Sequence, residues 1–218
     1  MSNFFSFLDA LREQMRVDNK KGNRVLAKNE FRASEVASCS RKLYFKRTLE
    51  PEVFDDETVG RFALGTIIHE YVENMLKRTQ SYLSSERKIE YHGKITISGH
   101  FDLMLYDEEG TFLVDVKSTS PFTWKYVENE PKAHHRVQMN TYLGILGLKR
   151  GYILPINKNE FKTFLQEVHY DDELYGATIA KLENVFDHLV AKTIPDCDNE
   201  EWECRYCYYR EACKNAGK

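Results

Sequence analysis

The chain has 218 residues, with 42% hydrophobic and 30% charged residues, which is the composition of a soluble globular domain with a substantial core. Its net charge of -3 excludes a protein that coats nucleic acid through bulk positive charge, although it is compatible with a local basic groove. No segment reaches the roughly 18 apolar residues of a membrane helix, and the N-terminus lacks signal-peptide features. We therefore expect a cytoplasmic protein with no membrane association.

The predicted elements, taken in chain order, place helices around one run of strands. Hydrophobic periodicity and capping residues predict a helix at 3–15, a basic linker at 16–24, a helix at 34–47 with Ser34 as its N-cap, a loop at 51–57 and a helix at 59–79. Strands are predicted at 87–91, 94–106 and 111–118, a helix at 133–146, strands at 149–155 and 162–169, and a helix at 171–191. The helix at 59–79 should bury a broad apolar face of Phe62, Leu64, Ile68, Tyr71, Val72, Met75 and Leu76. This order predicts an α/β fold with a mixed central sheet flanked by helices.

Two aspartates lie in the strand pair on either side of an acidic turn. We predict that Tyr106 pairs with Thr111 across a four-residue loop. In that register Asp102 lies opposite Asp115, and facing like charges repel unless a cation lies between them. Lys117 leaves the same strand face as Asp115. Two acids and a lysine indicate metal-assisted phosphodiester cleavage. The alternative is a surface ion pair, and a slip of one residue would separate the carboxylates.

Three further polar residues could complete such a site. His69 lies on the apolar side of its helix, as a third ligand for a transition metal or as a histidine satisfied within the core. Gln138 and Tyr142 are spaced i, i+4 and share one helix face, with His135 one turn earlier. An amide and a phenol that face the hairpin could position a phosphate or a water. The alternative is a polar helix surface.

Four of the five cysteines lie close to the C-terminus, whereas Cys39 lies far upstream. In a cytoplasmic protein such thiols are poor candidates for disulfides, and their short spacing favours a soft metal centre. One option is structural zinc bound by Cys197, Cys204, Cys207 and Cys213. The other is an iron–sulfur cluster bound by Cys39 with Cys204, Cys207 and Cys213. The spacing alone does not choose between them.

Taken in order, these motifs resemble those of RecB-like nucleases of the PD-(D/E)XK superfamily. The matching residues are His69, Gly99-x-x-Asp102, Asp115-Val116-Lys117 and Gln138-x3-Tyr142. An upstream Ser34-x4-Cys39-x-Arg41 element and a final Cys204-x2-Cys207-x5-Cys213 are similar to the iron–sulfur subgroup, which includes CRISPR-associated nucleases of spacer acquisition and free-standing viral relatives. The chain departs from the subgroup at two positions. Ser40 stands where the family often has proline, and Cys197 has no counterpart.

The resemblance implies a restriction-endonuclease-like core in which Mg²⁺ or Mn²⁺ is held by His69, Asp102, Asp115 and the carbonyl of Val116. It implies that Lys117 orients the attacking water and stabilises the pentavalent phosphate, and that Gln138 and Tyr142 orient substrate and site groups. It also implies a structural [4Fe–4S] cluster on Cys39, Cys204, Cys207 and Cys213 that staples the C-terminal tail to the N-terminal helices. The expected division is an N-terminal extension at 1–30, a nuclease core at 31–195 and a cluster-binding tail at 196–218.

The expected activity is metal-dependent DNA exonuclease activity on single strands or ends, with endonuclease activity as a further option. CRISPR integrase proteins or phage replication and recombination proteins are candidate partners besides DNA, and self-association is compatible with the sequence. Basic residues near the cysteines could follow phosphates and tyrosines could stack bases, although solvated charge is the ordinary interpretation: Arg41, Lys42, Lys46, Arg47, Arg205, Arg210, Lys214, Tyr206, Tyr208 and Tyr209. The alternatives are a catalytically silent DNA-binding subunit with a zinc or iron–sulfur site, and a redox iron–sulfur protein.

Overall fold

The computed structural model describes residues 9–10, 12–17, 26–127, 130–199 and 201–217. Its strands are β1 (Glu30–Arg32), β2 (Tyr82–His92), β3 (Thr96–Asp107), β4 (Gly110–Thr119), β5 (Arg150–Asn157) and β6 (Gln166–His169). Its helices are α1 (residues 12–17), α2 (Ser40–Thr48), α3 (Asp56–Leu76), α4 (Pro121–Val127), α5 (Ala133–Leu146), α6 (Asp172–Ala191), α7 (Glu201–Cys204) and α8 (Arg210–Asn215), with a 3₁₀ turn at Ala33–Glu35.

Most predicted elements are present within the described residues. α5 has the predicted bounds, and α6 starts one residue late because Asp171 caps it by accepting a hydrogen bond from the Leu174 N–H at 3.0 Å. β1 and α4 were not predicted. The predicted N-terminal helix and linker are described only in part: residues 9–10 and 12–17 are helical, whereas 3–8, 11 and 18–24 lie outside the described residues.

The helix predicted over 34–47 is wrong at its start. A 3₁₀ turn occupies Ala33–Glu35, and the α-helix begins at Ser40 with Cys39 as its N-cap. The buried Glu35 carboxylate holds this turn in place, because it pairs with Arg47 and, at 3.0 Å, with Lys46 of α2. Cys39 therefore lies at the start of α2 and not within a helix.

Six strands form one mixed sheet. β2 runs antiparallel along one edge of β3, while the opposite edge of β3 pairs with β1 (parallel) at residues 96–98 and with β4 (antiparallel) at residues 103–107. β4 is parallel to β5, and β5 is antiparallel to β6. On the β1 and β4 side, residues 99–102 pair with no strand in the described part of the chain. The sheet therefore opens between β3 and β4 at this point.

The predicted register of the β3–β4 hairpin is confirmed where the two strands pair. Tyr106 lies opposite Thr111, as expected. The turn is tighter than predicted, since Asp107 also pairs with Gly110 and leaves two residues in the loop. Gly110 has a φ of +116°, which a residue with a side chain adopts only with strain.

The predicted pairing of Asp102 with Asp115 is wrong, because the ladder ends one pair earlier, at Leu103 and Val114. Beyond that pair, β4 continues in parallel with β5 and separates from β3. Asp102 instead accepts a hydrogen bond from the backbone N–H of Val116 at 2.7 Å. Both aspartates still reach the opening in the sheet, now in a staggered arrangement.

The alternation of side chains along β3 breaks beside Asp102. Ile97 and Phe101 join the core beneath α5 and α6, whereas Leu103 joins the core beneath α3. Strict alternation would place all three on one face of the sheet. Across from the break, Glu86 of β2 has a φ of +50°, in the left-handed region that side-chain-bearing residues rarely adopt. This irregularity turns Asp102 toward the opening.

The predicted apolar face of α3 is only partly buried. Val72 is buried, and Ile68 and Leu76 pack beside it against β3 and β4. Four other residues of the predicted face remain 48–53% exposed: Phe62, Leu64, Tyr71 and Met75. The helix thus covers the sheet with a narrow stripe. None of the described helices combines the length and apolar composition needed to span a membrane.

Candidate active site

Asp102, at the break in β3, contacts both β4 and α3 through its side chain. Besides the Val116 N–H, its Oδ2 atom lies 3.3 Å from Nδ1 of His69 on α3. Burial acts to lower the pKa of His69, but the carboxylates of Asp102 and Asp115 outweigh it, so that the pKa is raised. The structure thus brings His69 to the hairpin, and its side chain is not a histidine satisfied by the apolar core alone.

Asp115 is 3% exposed and projects from β4 toward α5. Nζ of Lys117, two residues along the same strand face, lies 2.7 Å from its Oδ2 atom. The angles at this contact are not those of a hydrogen bond, and Oδ2 has no hydrogen-bond partner in the described part of the chain. Burial raises the pKa of Asp115 to about 6, with Lys117 opposing the shift and Asp102 adding to it.

A chain of hydrogen bonds runs from Lys117 into α5. Its Nζ donates to Oε1 of Gln138 at 3.2 Å, and Nε2 of Gln138 donates to the Tyr142 hydroxyl at 3.1 Å. That hydroxyl donates in turn to the carbonyl of His100 at 3.0 Å. Burial raises the pKa of Tyr142, so the hydroxyl keeps its proton. The two α5 residues therefore face the hairpin, and the alternative of a polar outer helix surface is wrong.

Gly99, the first residue of the Gly99-x-x-Asp102 motif, makes room for this chain. A Cβ at this position would lie 2.8 Å from Cβ of Ala33 and 3.3 Å from the ring of Tyr142. Both distances are too short for ordinary van der Waals contact. The glycine thus allows Tyr142 to approach β3 closely enough to reach the backbone carbonyl that follows it.

Most of the predicted residues line one cavity of about 440 Å³, together with residues that sequence reasoning missed, whereas His69 and Val116 are not among its lining residues. Asp102, Asp115, Lys117, Gln138 and Tyr142 contribute the predicted part of its wall. The rest of the wall includes Leu26, Arg32, Ser34, Lys88, Ser98 and His100. Cationic and hydroxyl groups beside two carboxylates suit a phosphodiester backbone. Arg32 belongs to β1. A strand of three residues is too short for alternation to show in the sequence, so this part of the wall was not predicted.

Glu86 was also missed. It lies across from Asp102, and partial burial and then the charge of Asp102 raise the pKa of its carboxyl group. Its left-handed backbone is a consequence of strand pairing, so no local sequence pattern could have indicated it.

The site offers a chemically suitable donor set for a divalent cation. Carboxylates with one imidazole suit Mg²⁺ or Mn²⁺, and Asp115 supplies a buried oxygen without a hydrogen bond. Among the residues that the structure describes, no three Asp, Glu, His or Cys side chains converge closely enough to hold an ion. The reason is visible in the contacts, since His69 pairs with Asp102 and Lys117 pairs with Asp115. A cation would have to replace these contacts.

All five cysteines line a second cavity, of about 580 Å³, between α2 and the C-terminal segment. Sγ of Cys39 lies 4.0 Å from Sγ of Cys197, and Nη1 of Arg41 lies 3.5 Å from Sγ of Cys213. Burial raises the pKa of the Cys39 thiol to about 12. A [4Fe–4S] cluster binds four cysteines through four separate irons, so its ligands line a cavity without meeting at one point. The donor set fits such a cluster.

Several residues predicted to contact DNA near the cysteines are buried instead, and those predictions are wrong. Arg41 is 7% exposed and donates to the carbonyls of Pro195 at 2.8 Å and Gly217 at 2.6 Å. Arg47 is bound to Glu35, and Tyr209 is 4% exposed within the core. These side chains hold the C-terminal segment and the 3₁₀ turn against α2. Tyr206 and Tyr208 are exposed, as base stacking would require.

An opened mixed sheet that carries two aspartates and a lysine is the core of a nuclease. The family model of the PD-(D/E)XK nuclease superfamily matches residues 74–214, and the chain belongs to that superfamily. The predicted RecB-like membership is thereby confirmed. The matched range contains both aspartates, Lys117 and the α5 pair. It leaves out His69 and Cys39, whose assignments depend on geometry.

The chain is also similar to several known proteins. The CRISPR-associated exonuclease Cas4 of Saccharolobus solfataricus is 23% identical over 193 residues, which cover 87% of this chain and 89% of that protein. The crystal structure of SSO0001 has a TM-score of 0.62 at 16% identity and 98% coverage of both chains. The alkaline exonuclease LHK-Exo of Laribacter hongkongensis has a TM-score of 0.55 at 17% identity, over 86% of this chain and 95% of that one. These structures share the fold.

Proposed function

We propose that the protein is a metal-dependent DNA exonuclease that hydrolyses phosphodiester bonds of single strands or strand ends. The observation that carries the proposal is the buried Asp115 carboxylate, which lies beside Lys117 and Asp102 with one oxygen lacking a hydrogen bond. The ion pair with Lys117 offsets only part of the cost of burying this charge, since the pKa of Asp115 remains raised, and a cation would offset more of it.

The residues that would hold Mg²⁺ or Mn²⁺ are His69, Asp102, Asp115 and the carbonyl of Val116. When bound, the cation lowers the pKa of a water and neutralises charge on the phosphate. The Val116 N–H orients the Asp102 carboxylate, and His69 lies beside it, in a contact that a cation would replace. The Val116 contact supports the ligand set, since a carboxylate held by a second group presents its other oxygen in a fixed direction.

Lys117 would hold the attacking water and stabilise the phosphate at the transition state. Its ammonium group lies between the carboxylate of Asp115 and the amide oxygen of Gln138, which is in turn held by Tyr142. Arg32 and Lys88, on the far wall, would contact neighbouring phosphates of the same strand.

The preference for single strands and ends is supported by the size of the cavity. A volume of about 440 Å³ is in the range of a single small ligand, such as one nucleotide. The names of the similar proteins, an exonuclease in each case where an activity is printed, agree with cleavage from ends.

We further propose that Cys39, Cys204, Cys207 and Cys213 hold a structural [4Fe–4S] cluster. The shared cavity of the five thiols supports this, and so does the Arg41 guanidinium, which lies 3.5 Å from Sγ of Cys213. The division into an extension at 1–30, a core at 31–195 and a cluster-binding tail at 196–218 belongs to the same proposal. β1 moves its first boundary slightly, since Glu30 already pairs within the sheet.

A role in CRISPR adaptation is proposed from the name of the Cas4 relative, with integrase proteins as partners. A role in phage DNA processing, with replication or recombination proteins, is the second candidate. A pull-down of tagged chain with each class of partner would separate the two.

Cleavage assays on linear and circular single-stranded DNA test the exonuclease proposal. With Mg²⁺ or Mn²⁺ present, we expect linear strands labelled at one end to be degraded to mononucleotides or short products while circular strands persist, and EDTA to abolish activity. Lys94→Ala, which alters an exposed ion pair with Asp187, is the matched control and should cleave like the wild type. Activity in EDTA, or equal cleavage of circles, would contradict the proposal.

A further inference from the structure

The two cysteine sets compatible with the sequence differ in a single member. Cys204, Cys207 and Cys213 belong to both sets, Cys39 completes the iron–sulfur set, and Cys197 completes the zinc set. The two thiols that distinguish the sets lie 4.0 Å apart, Sγ to Sγ. Both line the same cavity. They therefore occupy one corner of the same potential metal site.

The residues that follow each cysteine hold this contact together. The backbone N–H of Ser40 donates to Oδ1 of Asp198 at 2.6 Å, and its hydroxyl donates to Oδ2 at 2.7 Å. Nζ of Lys181 lies 3.3 Å from the same carboxylate. A proline at position 40 could not make the first of these bonds, because it has no N–H. Ser40 thus fixes Cys197 beside Cys39.

A second contact fixes the same segment from the other side. Nε of Arg41 donates to the carbonyl of Pro195 at 2.8 Å, in a buried position. Cys197 is exposed, whereas Cys39 is buried, and Cys197 also interacts with Cys204. Its thiol is therefore held at the mouth of the cavity, within reach of two other thiols.

We propose that Cys197 is a fifth thiol donor of this site, interchangeable with Cys39 at one corner of the [4Fe–4S] cluster. This rests on the cluster proposed above and not on the nuclease activity. In the exchange one iron–sulfur bond to Cys39 breaks and one to Cys197 forms. The Cys197 thiol releases its proton to solvent, the freed Cys39 thiolate takes one up, and no electron is transferred.

Iron and sulfide analysis of the anaerobically purified full chain tests the proposal. Cys39→Ala and Cys197→Ala should each keep at least half of the wild-type iron and its absorption near 400 nm. The double variant should fall below a tenth. Cys207→Ala, at a corner without a proposed substitute, is the matched control and should match the double variant. Alanine is used because a serine oxygen could itself bind iron.

The results that would overturn the proposal are distinct. Iron loss or unfolding in Cys39→Ala alone, measured by circular dichroism, would show that Cys197 cannot replace it. Iron loss in Cys197→Ala alone would show that the two are not equivalent. A wild type without iron, whether or not it holds zinc, would overturn the cluster itself and with it the exchange, while the cleavage assay would still decide the nuclease.

Discussion

At the scale of single residues, the position of the Lys117 ammonium group is set by two partners, the Asp115 carboxylate and the Gln138 amide oxygen. Asp115 holds its ammonium group at 2.7 Å and Gln138 at 3.2 Å. The carboxylate balances the charge of the ammonium group. The amide oxygen fixes the position of that group, because Gln138 is itself held by Tyr142. The lysine can therefore keep one position while a phosphate enters.

Removing the Tyr142 hydroxyl should weaken this chain without removing any group that touches substrate. For Tyr142→Phe we expect kcat to fall about tenfold with little change in KM, since Gln138 loses its anchor. Stability should fall by about 0.5–1.5 kcal/mol, because the hydrogen bond to the His100 carbonyl is lost. Steady-state kinetics and thermal melts measure both. Unchanged kcat with lowered stability would leave Tyr142 a purely structural role.

Asp115 should make the metal-free protein less stable as the pH rises. Burial raises its folded pKa to about 6, against about 3.9 for an unfolded aspartate, so the folded state holds the extra proton between these values. The cost of ionisation therefore grows from pH 4 and is complete above pH 6. In EDTA, Asp115→Asn should be about 1–3 kcal/mol more stable than the wild type at pH 7.5, and equal to it near pH 4. Equal melting shifts at both pH values would contradict this.

At the scale of helices and strands, the features that were predicted correctly are those determined by residues close together in the sequence. α5 was predicted to the residue because Pro131 precedes it and Gly147, with a φ of +67°, ends it. The hairpin register followed from its turn. The direct opposition of Asp102 and Asp115 could not be predicted, because β4 leaves β3 to pair with β5, which is a contact distant in sequence.

The same reasoning explains the elements that were missed or misplaced. β1 and α4 are too short for a periodic pattern, and β1 exists only because β3 offers it an edge. The 3₁₀ turn at Ala33–Glu35 replaced the predicted helix start because Glu35 is paired with Arg47, whose guanidinium also lies 4.2 Å over the ring of Phe31. No local pattern in the sequence reveals such a buried pair.

Removing one partner of this pair should loosen the 3₁₀ turn from the last turn of α2. Glu35→Ala leaves the buried Arg47 guanidinium without its carboxylate, and we expect a loss of about 3–5 kcal/mol. Glu90→Ala, which breaks only exposed contacts with Lys88 and His92, is the control and should change stability by less than about 1 kcal/mol. Thermal melts at pH 7.5 make the comparison. A loss in Glu35→Ala no larger than in the control would refute this role for the pair.

At the scale of the whole molecule, the sheet joins two cores and the site lies where they meet. β3 contributes Ile97 and Phe101 to the core beneath α5 and α6, and Leu103 to the core beneath α3. The change of face occurs at Asp102, so α3 can bring His69 from one side while α5 brings Gln138 from the other. The motif residues were predictable from sequence, whereas this change of face depends on strand pairing around Glu86.

The C-terminal segment returns to the start of α2 and is joined to it by several hydrogen bonds. Arg41 bonds to the carbonyls of Pro195 and Gly217, and Ser40 bonds to Asp198. These hydrogen bonds join protein groups directly and include no cluster atom. The nuclease site and the cysteine cavity share no lining residue, so the two proposals can be tested separately.

The central claim is tested most directly by measuring Mn²⁺ binding and DNA cleavage on the same preparation of Lys117→Ala. Because Nζ of Lys117 lies 2.7 Å from Oδ2 of Asp115 and opposes a cation there, removing it should leave Mn²⁺ affinity equal or higher. Cleavage of linear single strands should nevertheless fall by about 10²–10³-fold, as for loss of a transition-state donor. Asp115→Ala should lose both binding and cleavage. Cleavage at the wild-type rate by Lys117→Ala would contradict the account.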